Sequence, residues 1–247
     1  MARPLVKTFI RGFDDGVLRG GVPQGHVVLL RGASGTMKSS LAYYVLYRNA
    51  LEGTPGLYVT LEQAAGSLLE HVAGLGLRAT QVSDTLPILD LSRGREYLEE
   101  LAGKVGVLAG RDLREGEALL TVLQGKILDL RRRQGFELLA IDSWDALELV
   151  LEFADRRTET FAFFEWLRDL GVTSLLVSEE PPSEESASAL EEEFLADGIV
   201  RLRMAPVTET SFQRRIQCTK MRSVNQDSDD HTLLFENGRF EASRAIG

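Results

Sequence analysis

The residues most able to do chemistry lie in the stretch RGASGTMKSSLAYY, Arg31 to Tyr44. Gly32, Ala33, Ser34, Gly35, Thr36, Met37, Lys38 and Ser39 follow the phosphate-loop spacing G-x-x-x-x-G-K-[ST], except that Met37 stands where glycine is expected. Such a loop works because successive backbone N–H groups and a helix N-terminus point at an anion, while a lysine reaches its outer charges. Lys38 is that lysine, the Ser39 hydroxyl suits a magnesium ion, and Ser40 lies beside it at the start of the helix.

Met37 decides whether the loop is sound. A non-glycine residue held at positive φ costs about 1–2 kcal/mol, whereas micromolar affinity for a nucleotide corresponds to about 8 kcal/mol. The strain weakens a site without abolishing it. Methionine is unbranched and adaptable, so its side chain is expected to leave the phosphates and lie against the domain surface or a neighbouring subunit.

The elements that must position this loop follow from the apolar pattern. HVVLLRG, GLYVTLE, LPILDL, FELLAIDS and VTSLLVSEE read as buried strands alternating with amphipathic helical stretches, the signature of βα units. Those helices are KSSLAYYVLYRNALEG, AAGSLLEHVAGLG, GREYLEELAGKV, EALLTVLQGKILDLRRRQG and RRTETFAFFEWLRDLG, and GVLAGRDLREG reads as a surface loop. After residue 197 the texture changes to GIVRLRM, RRIQCTKMR and HTLLFENGRFEAS, alternating like antiparallel hairpins with Asn237-Gly238 as a two-residue turn. The expectation is an α/β fold over residues 1–247 as one domain: a mainly parallel twisted sheet flanked by helices, with a C-terminal antiparallel β extension. GLGLRA at Gly74–Ala79 formally matches a dinucleotide fingerprint but follows a helix, and a glycine helix stop explains it better.

Composition narrows the function classes. The chain has 247 residues, 44% of them apolar and 26% charged, enough for a sizeable core. A net charge of −9 opposes unaided binding to a phosphate backbone. The single cysteine, Cys218, excludes an intramolecular disulfide, and His26, His71 and His231 offer no metal-ligand spacing. No stretch approaches the roughly 18 apolar residues of a membrane span. A soluble protein of the reducing cytoplasm is expected.

The run FDDGVLRGGVPQGHVVLLRG resembles the segment leading into the first core strand of RecA-superfamily ATPases of the KaiC type, with Asp15, Leu18, Gly20, Gly21, Pro23 and Gly25 at nearly the family spacing. The resemblance extends over most of the chain and implies a RecA-like core using ATP and Mg²⁺. YVTLEQ is similar to the family's acidic pair after the second core strand, making Glu62 the candidate general base, with Gln63 in place of the second acid. ELLAIDSWDAL resembles the Walker B strand, so Asp142 would hold Mg²⁺ through water, on the same ion as the Ser39 hydroxyl. LLVSEE ends the next strand, where Ser178 would sense the γ-phosphate and Glu179 would help arrange water. CTKMRS looks like the family's K-x-R finger; on a strand Lys220 and Arg222 share a face and would reach the γ-phosphate bound to the adjacent subunit. That finger implies a homo-oligomeric ring, a hexamer by resemblance.

The specific role is narrower still. From Asp169 to Val200 there is no lysine or arginine and there are nine acidic residues, the wrong sign for contacting DNA directly. The expected function is slow ATP hydrolysis that changes the binding of an unidentified protein partner. The alternatives are a recombinase paralogue in DNA repair and a non-catalytic nucleotide-gated scaffold of the archaellum or gas-vesicle accessory kind. Glu193 and Phe194 stand near the family's autophosphorylated position, which argues against autokinase activity by the same route and leaves Ser183, Ser186 and Ser188 as the nearby hydroxyls.

Overall fold

Alternation of side chains along one central strand organises the molecule. β3 (Val27–Gly32) sends Val28 and Leu30 into one apolar cluster and Val27 and Leu29 into another on the opposite face of the sheet. A strand buried on both faces must be central, and β3 lies between β7 (Thr173–Glu179) and β8 (Gly198–Pro206). The computed structural model describes residues 3–105, 115–180 and 192–245.

The nine-stranded sheet has the order β11-β10-β9-β8-β3-β7-β6-β4-β5. β4 (Gly56–Thr60), β5 (Ile88–Asp90), β6 (Leu138–Asp142), β7, β3 and β8 run parallel. β9 (Phe212–Met221), β10 (His231–Glu236) and β11 (Arg239–Arg244) extend it as antiparallel hairpins. The α/β fold and its antiparallel extension agree with the sequence expectation. Asn237 (φ 51°) and Gly238 (φ 73°) form the two-residue turn, with Glu236 opposite Arg239. Two positive φ values in succession match the right-handed twist of the flanking strands.

α1 (Lys38–Leu51) and α2 (Ala65–Gly74) cover one face, joined by the N-terminal segment, where β1 (Leu5–Val6) pairs with β2 (Val22–Pro23). α3 (Gly94–Val105), α4 (Glu115–Gln134), α5 (Trp144–Leu151) and α6 (Arg156–Leu170) cover the other. Trp144, Phe163 and Phe164 are fully buried there, the Trp144 ring meeting Phe163 at a tilt and Phe164 edge-on. The pattern reading missed α5, which begins directly after the strand ending in Asp142. Eight residues are too few for a clear helical period, yet Trp144, Leu147 and Leu151 share its buried face. The β1–β2 pair was also missed, being two residues long on each side. GVLAGRDLREG, read as a loop, lies largely outside the described residues, as do Ser183, Ser186 and Ser188.

Candidate functional site

Parallel register gathers the site at the carboxyl ends of four strands. Gly32 pairs with Glu179, Asp142 with Val177, and Thr60 with Asp142, so the residues that follow β3, β7, β6 and β4 emerge along one edge. Open α/β sheets bind ligands at this edge. Ser34, Gly35, Met37, Lys38, Ser39, Ser40, Glu62, Gln63, His71, Asp142, Ser143 and Glu179 line a cavity of about 310 Å³ there.

The loop has the backbone its pattern requires. A Cβ on Gly32 would stand 2.2 Å from the Leu202 carbonyl, so close approach of β8 excludes any other residue. Gly35 has φ 80° and Met37 φ 73° with ψ 28°, so methionine occupies the left-handed region that glycine would adopt freely. Its half-buried side chain packs against this domain's own core cluster and also borders the cavity, so it does not turn wholly away from the phosphate site. Thr36 turns inward, its hydroxyl donating to the Ala33 carbonyl at 2.8 Å.

The helix start is open. Ser143 caps α5 by accepting from the Ala146 amide, Asp155 caps α6 by accepting from Thr158, and the first amide of α2, Ala65, donates to Asp90 at 2.7 Å. No side chain caps α1. Unsatisfied amides at the N-terminus of a 14-residue helix, beside a lysine, are suited to an anion. Lys38 is only 8% exposed and rests its Nζ on the neutral Ala33 carbonyl at 3.0 Å. These features fit a polyphosphate.

Ser39 and Asp142 meet as expected: the serine hydroxyl donates to Oδ1 at 3.1 Å. A hydroxyl and a carboxylate are hard oxygen donors of the kind Mg²⁺ accepts together with phosphate oxygens. Burial pushes the Asp142 carboxyl above its ordinary range, and the hydroxyls of Tyr58 and Ser39 offset this only in part. The peptide bond between Asp142 and Ser143 is cis.

Other candidates divide. Glu62 reaches the cavity, and the Ser143 hydroxyl donates to its carboxylate, so one serine both caps α5 and orients the candidate base. Gln63 lines the same wall, and its carbonyl accepts from Thr60 at 2.6 Å. Glu179 borders the cavity, its amide held by Asp145 at 2.8 Å. Ser178 is wholly buried, does not line the cavity, and faces Asp145 at 3.5 Å. Period 2 explains the split, since Val177 and Glu179 take the cavity side and Ser178 the other.

Lys220 and Arg222 lie elsewhere. Met221 pairs with Gly198 and Gly198 with Val28, so the pair stands level with the amino end of β3. Val28 and Gly32 are four residue steps apart, about 13 Å of strand. Lys220 bonds the carbonyls of Glu193 (2.7 Å) and Phe194 (3.3 Å), and Arg222 bonds Phe194 (2.9 Å) and the Asp197 carboxylate (2.7 Å). They share a face although the strand ends at Met221 and its pairing shifts between Cys218 and Lys220. Burial, with Arg222 nearby, lowers the Lys220 pKa. The Val27 amide, Arg222 and Arg168 overcome the opposing effect of burial and hold the Asp197 carboxyl below the usual range.

Sequence reasoning missed two contacts. Tyr58, wholly buried on β4, donates to Asp142 Oδ2 at 2.6 Å. His71 on α2 lies 2.9 Å from the Ser40 hydroxyl. A tyrosine in a strand and a lone histidine on a helix carry no local signal; pairing of β4 with β6 and packing of α2 beside α1 create both contacts.

Comparisons agree with the geometry. The family model described as the KaiC ATPase matches residues 6–239. A UPF0273 protein of Aeropyrum pernix is 32% identical over 228 residues, covering 92% of this chain and 88% of that protein. The circadian clock protein KaiC2 of Synechocystis sp. is 29% identical over 232 residues, 93% of this chain but 38% of the clock protein. The crystal structure of a KaiC-like protein from Pyrococcus horikoshii shares the fold, with a TM-score of 0.78 at 24% identity over 98% of this chain and 99% of that one.

Proposed function

This chain belongs to the KaiC ATPase family, and we propose that it binds Mg-ATP at the Gly32–Ser40 loop and hydrolyses it slowly within a homo-oligomeric ring. Each active site would be completed by Lys220 and Arg222 of the next subunit. The observation that carries this reading is the separation within one chain: two cations with family spacing stand about 13 Å along the sheet from the loop they would serve. Their distance from their own loop supports a role at a neighbour's site in a cyclic head-to-tail assembly.

In this reading the open amides of α1 and the Lys38 ammonium bind the phosphates, and Lys38 exchanges the Ala33 carbonyl for phosphate oxygen. Bound Mg²⁺, held by Ser39 and Asp142, would supply charge neutralisation across the phosphates. Glu62, oriented by Ser143, accepts the proton of the attacking water, and Gln63 adds a neutral hydrogen-bonding group beside it. Glu179 borders the water side of the cavity. The neighbour's cations offset charge developing on the transferred group. Ser178 contributes by holding Asp145 and Glu179 in place, because its hydroxyl faces away from the cavity. The cycle would alter binding of a protein partner, with the acidic composition of residues 169–200 arguing against direct DNA contact.

Calorimetric titration with Mg-ATP, paired with light scattering with and without nucleotide, tests both halves. Saturable heat and an ATP-dependent rise in mass are expected. Absence of heat would end the phosphate-site reading; a strictly monomeric species under both conditions would end the role in trans for Lys220 and Arg222.

A further inference from the structure

We infer that a second anion site lies where the end of α1 meets the N-terminal segment and β11, and that it takes the phosphate or diphosphate group of a small molecule. Arg11, Arg48 and Arg239 border a cavity of about 340 Å³ there, and among the described residues Glu241 is the one carboxylate on its wall. The excess of positive charge is local, since the whole chain carries −9. Lys38 and Arg48 are ten residues apart on α1, about 15 Å of helix, so this cavity is separate from the phosphate loop.

Three segments bring the arginines together. The Arg11 amide donates to the Phe240 carbonyl at 3.1 Å and the Arg11 carbonyl accepts from Ala242 at 2.8 Å, which lays the N-terminal segment along β11. On β11, Phe240 turns into the core while Arg239 and Glu241 take the opposite face. Arg48 lies over the rings of Phe9 and Tyr44, 5.2 and 6.0 Å from their centroids. The Tyr44 hydroxyl ties those two residues together by donating to the Phe9 carbonyl at 3.0 Å, and its ring meets Phe240 edge-on at 5.1 Å. An aromatic floor thus orients one guanidinium before any ligand arrives.

The cations are unevenly answered. Arg11 pairs with Glu241 at 3.3 Å, but the guanidinium groups of Arg48 and Arg239 have no carboxylate or other hydrogen-bond acceptor among the described residues. The Arg48 Nε is buried without an acceptor. Burial pushes the Tyr44 phenol above its ordinary range while Arg48 and Arg239 both act to lower it, so the two cations bear on the same floor. Guanidinium groups present planar forks of N–H donors that phosphate oxygens match in pairs. Three such groups against one carboxylate suit a phosphoryl dianion, and the volume lies at the small end of ligand pockets.

The test is calorimetric titration of pyrophosphate into the full chain carrying Lys38→Ala, which silences the phosphate loop. Citrate serves as an anion of similar charge without phosphorus, and a thermal melt checks each variant. Saturable binding of one pyrophosphate per chain is expected. Adding Arg48→Met, which keeps an unbranched stem on the rings, should weaken it at least about tenfold, and Arg48→Met with Arg239→Met should weaken it further. Arg48→Lys should recover only part of the loss, because an ammonium lacks the fork. Absence of saturable heat overturns the inference, as does binding undiminished in the Arg48→Met, Arg239→Met protein. Citrate held as tightly as pyrophosphate overturns the phosphoryl assignment. Should Arg48→Met not fold, Arg239→Met at its exposed position decides, and an unchanged affinity there refutes the site. Failure of the parent protein to bind Mg-ATP would end the phosphate-loop reading and leave this inference untouched.

Discussion

The two ends of β3 are held by different physics. At the carboxyl end, backbone conformation predominates: Gly32 lies against β8, Gly35 and Met37 take positive φ, and Lys38 rests on a neutral carbonyl. At the amino end, charge is added: Asp197 accepts from the Val27 amide and pairs with Arg168 and Arg222, while Lys220, like Lys38, rests on neutral carbonyls, those of Glu193 and Phe194. A loop that must wrap a polyanion leaves its amides and its lysine available, so that ligand replaces weak contacts. Under the proposed role in trans, cations anchored in advance gain, since a long side chain fixed before docking loses less entropy when it docks.

The contrast breaks most visibly if the amino-end cations serve another subunit. Arg222→Ala is expected to lower turnover about 10³-fold, roughly 4 kcal/mol in barrier, with nucleotide affinity of the separated subunit nearly unchanged. Lys38→Ala should abolish nucleotide binding. Mixing the two inactive proteins should restore part of the activity in a phosphate-release assay, because some interfaces then pair an intact loop with an intact finger. No recovery at any mixing ratio would mean that the cations do not act across subunits.

Within the carboxyl end, Glu62→Gln should reduce hydrolysis about 10²-fold while ATP binding persists, measured as single-turnover product formation beside a titration. Equal rates for variant and parent would assign the proton to another group.

A smaller effect falls on stability at the amino end. Asp197→Asn removes charge-assisted hydrogen bonds from a carboxylate 7% exposed and should cost about 2 kcal/mol near neutral pH. The sign with pH follows from its depressed pKa. The folded carboxyl ionises more readily than the unfolded one, so its contribution is fully present above the usual aspartate range and is lost as pH falls through the depressed value. Denaturant melts of the two proteins should converge in acid; a gap that stays constant would refute the assignment.

The smallest change is expected at Met37. Glycine there would remove about 1–2 kcal/mol of backbone strain, offset by the loss of the thioether's packing. Met37→Gly should therefore tighten nucleotide binding by no more than about tenfold, read by the same calorimetry. A weaker-binding glycine variant would show that the methionine is itself a useful contact.

The phosphate loop, the strands beneath it, Asp142 and the Asn237-Gly238 turn were all readable from residue order, because each depends on neighbours a few positions away. A left-handed Met37 was expected from one missing glycine, and period 2 had already put Lys220 and Arg222 on a common face. Other features depended on the order of strands in the sheet. Tyr58 meets Asp142 because β4 lies beside β6, and Ser143 reaches Glu62 across the same pair of strand ends. Ser178 turned from the cavity because the alternation of β7 gave that side to Val177 and Glu179.

Local chemistry written into consecutive residues thus specified an anion loop, its helix and the strands that carry it. Folding alone decided which hydroxyl restrains which carboxylate, and that Lys220 and Arg222 stand at the far end of β3 from the phosphate loop. Those relations depend on strand register and on contacts more than a hundred residues apart in some cases, such as Ser39 with Asp142. Periodicity along a chain reports which face a side chain takes; it does not report what stands opposite.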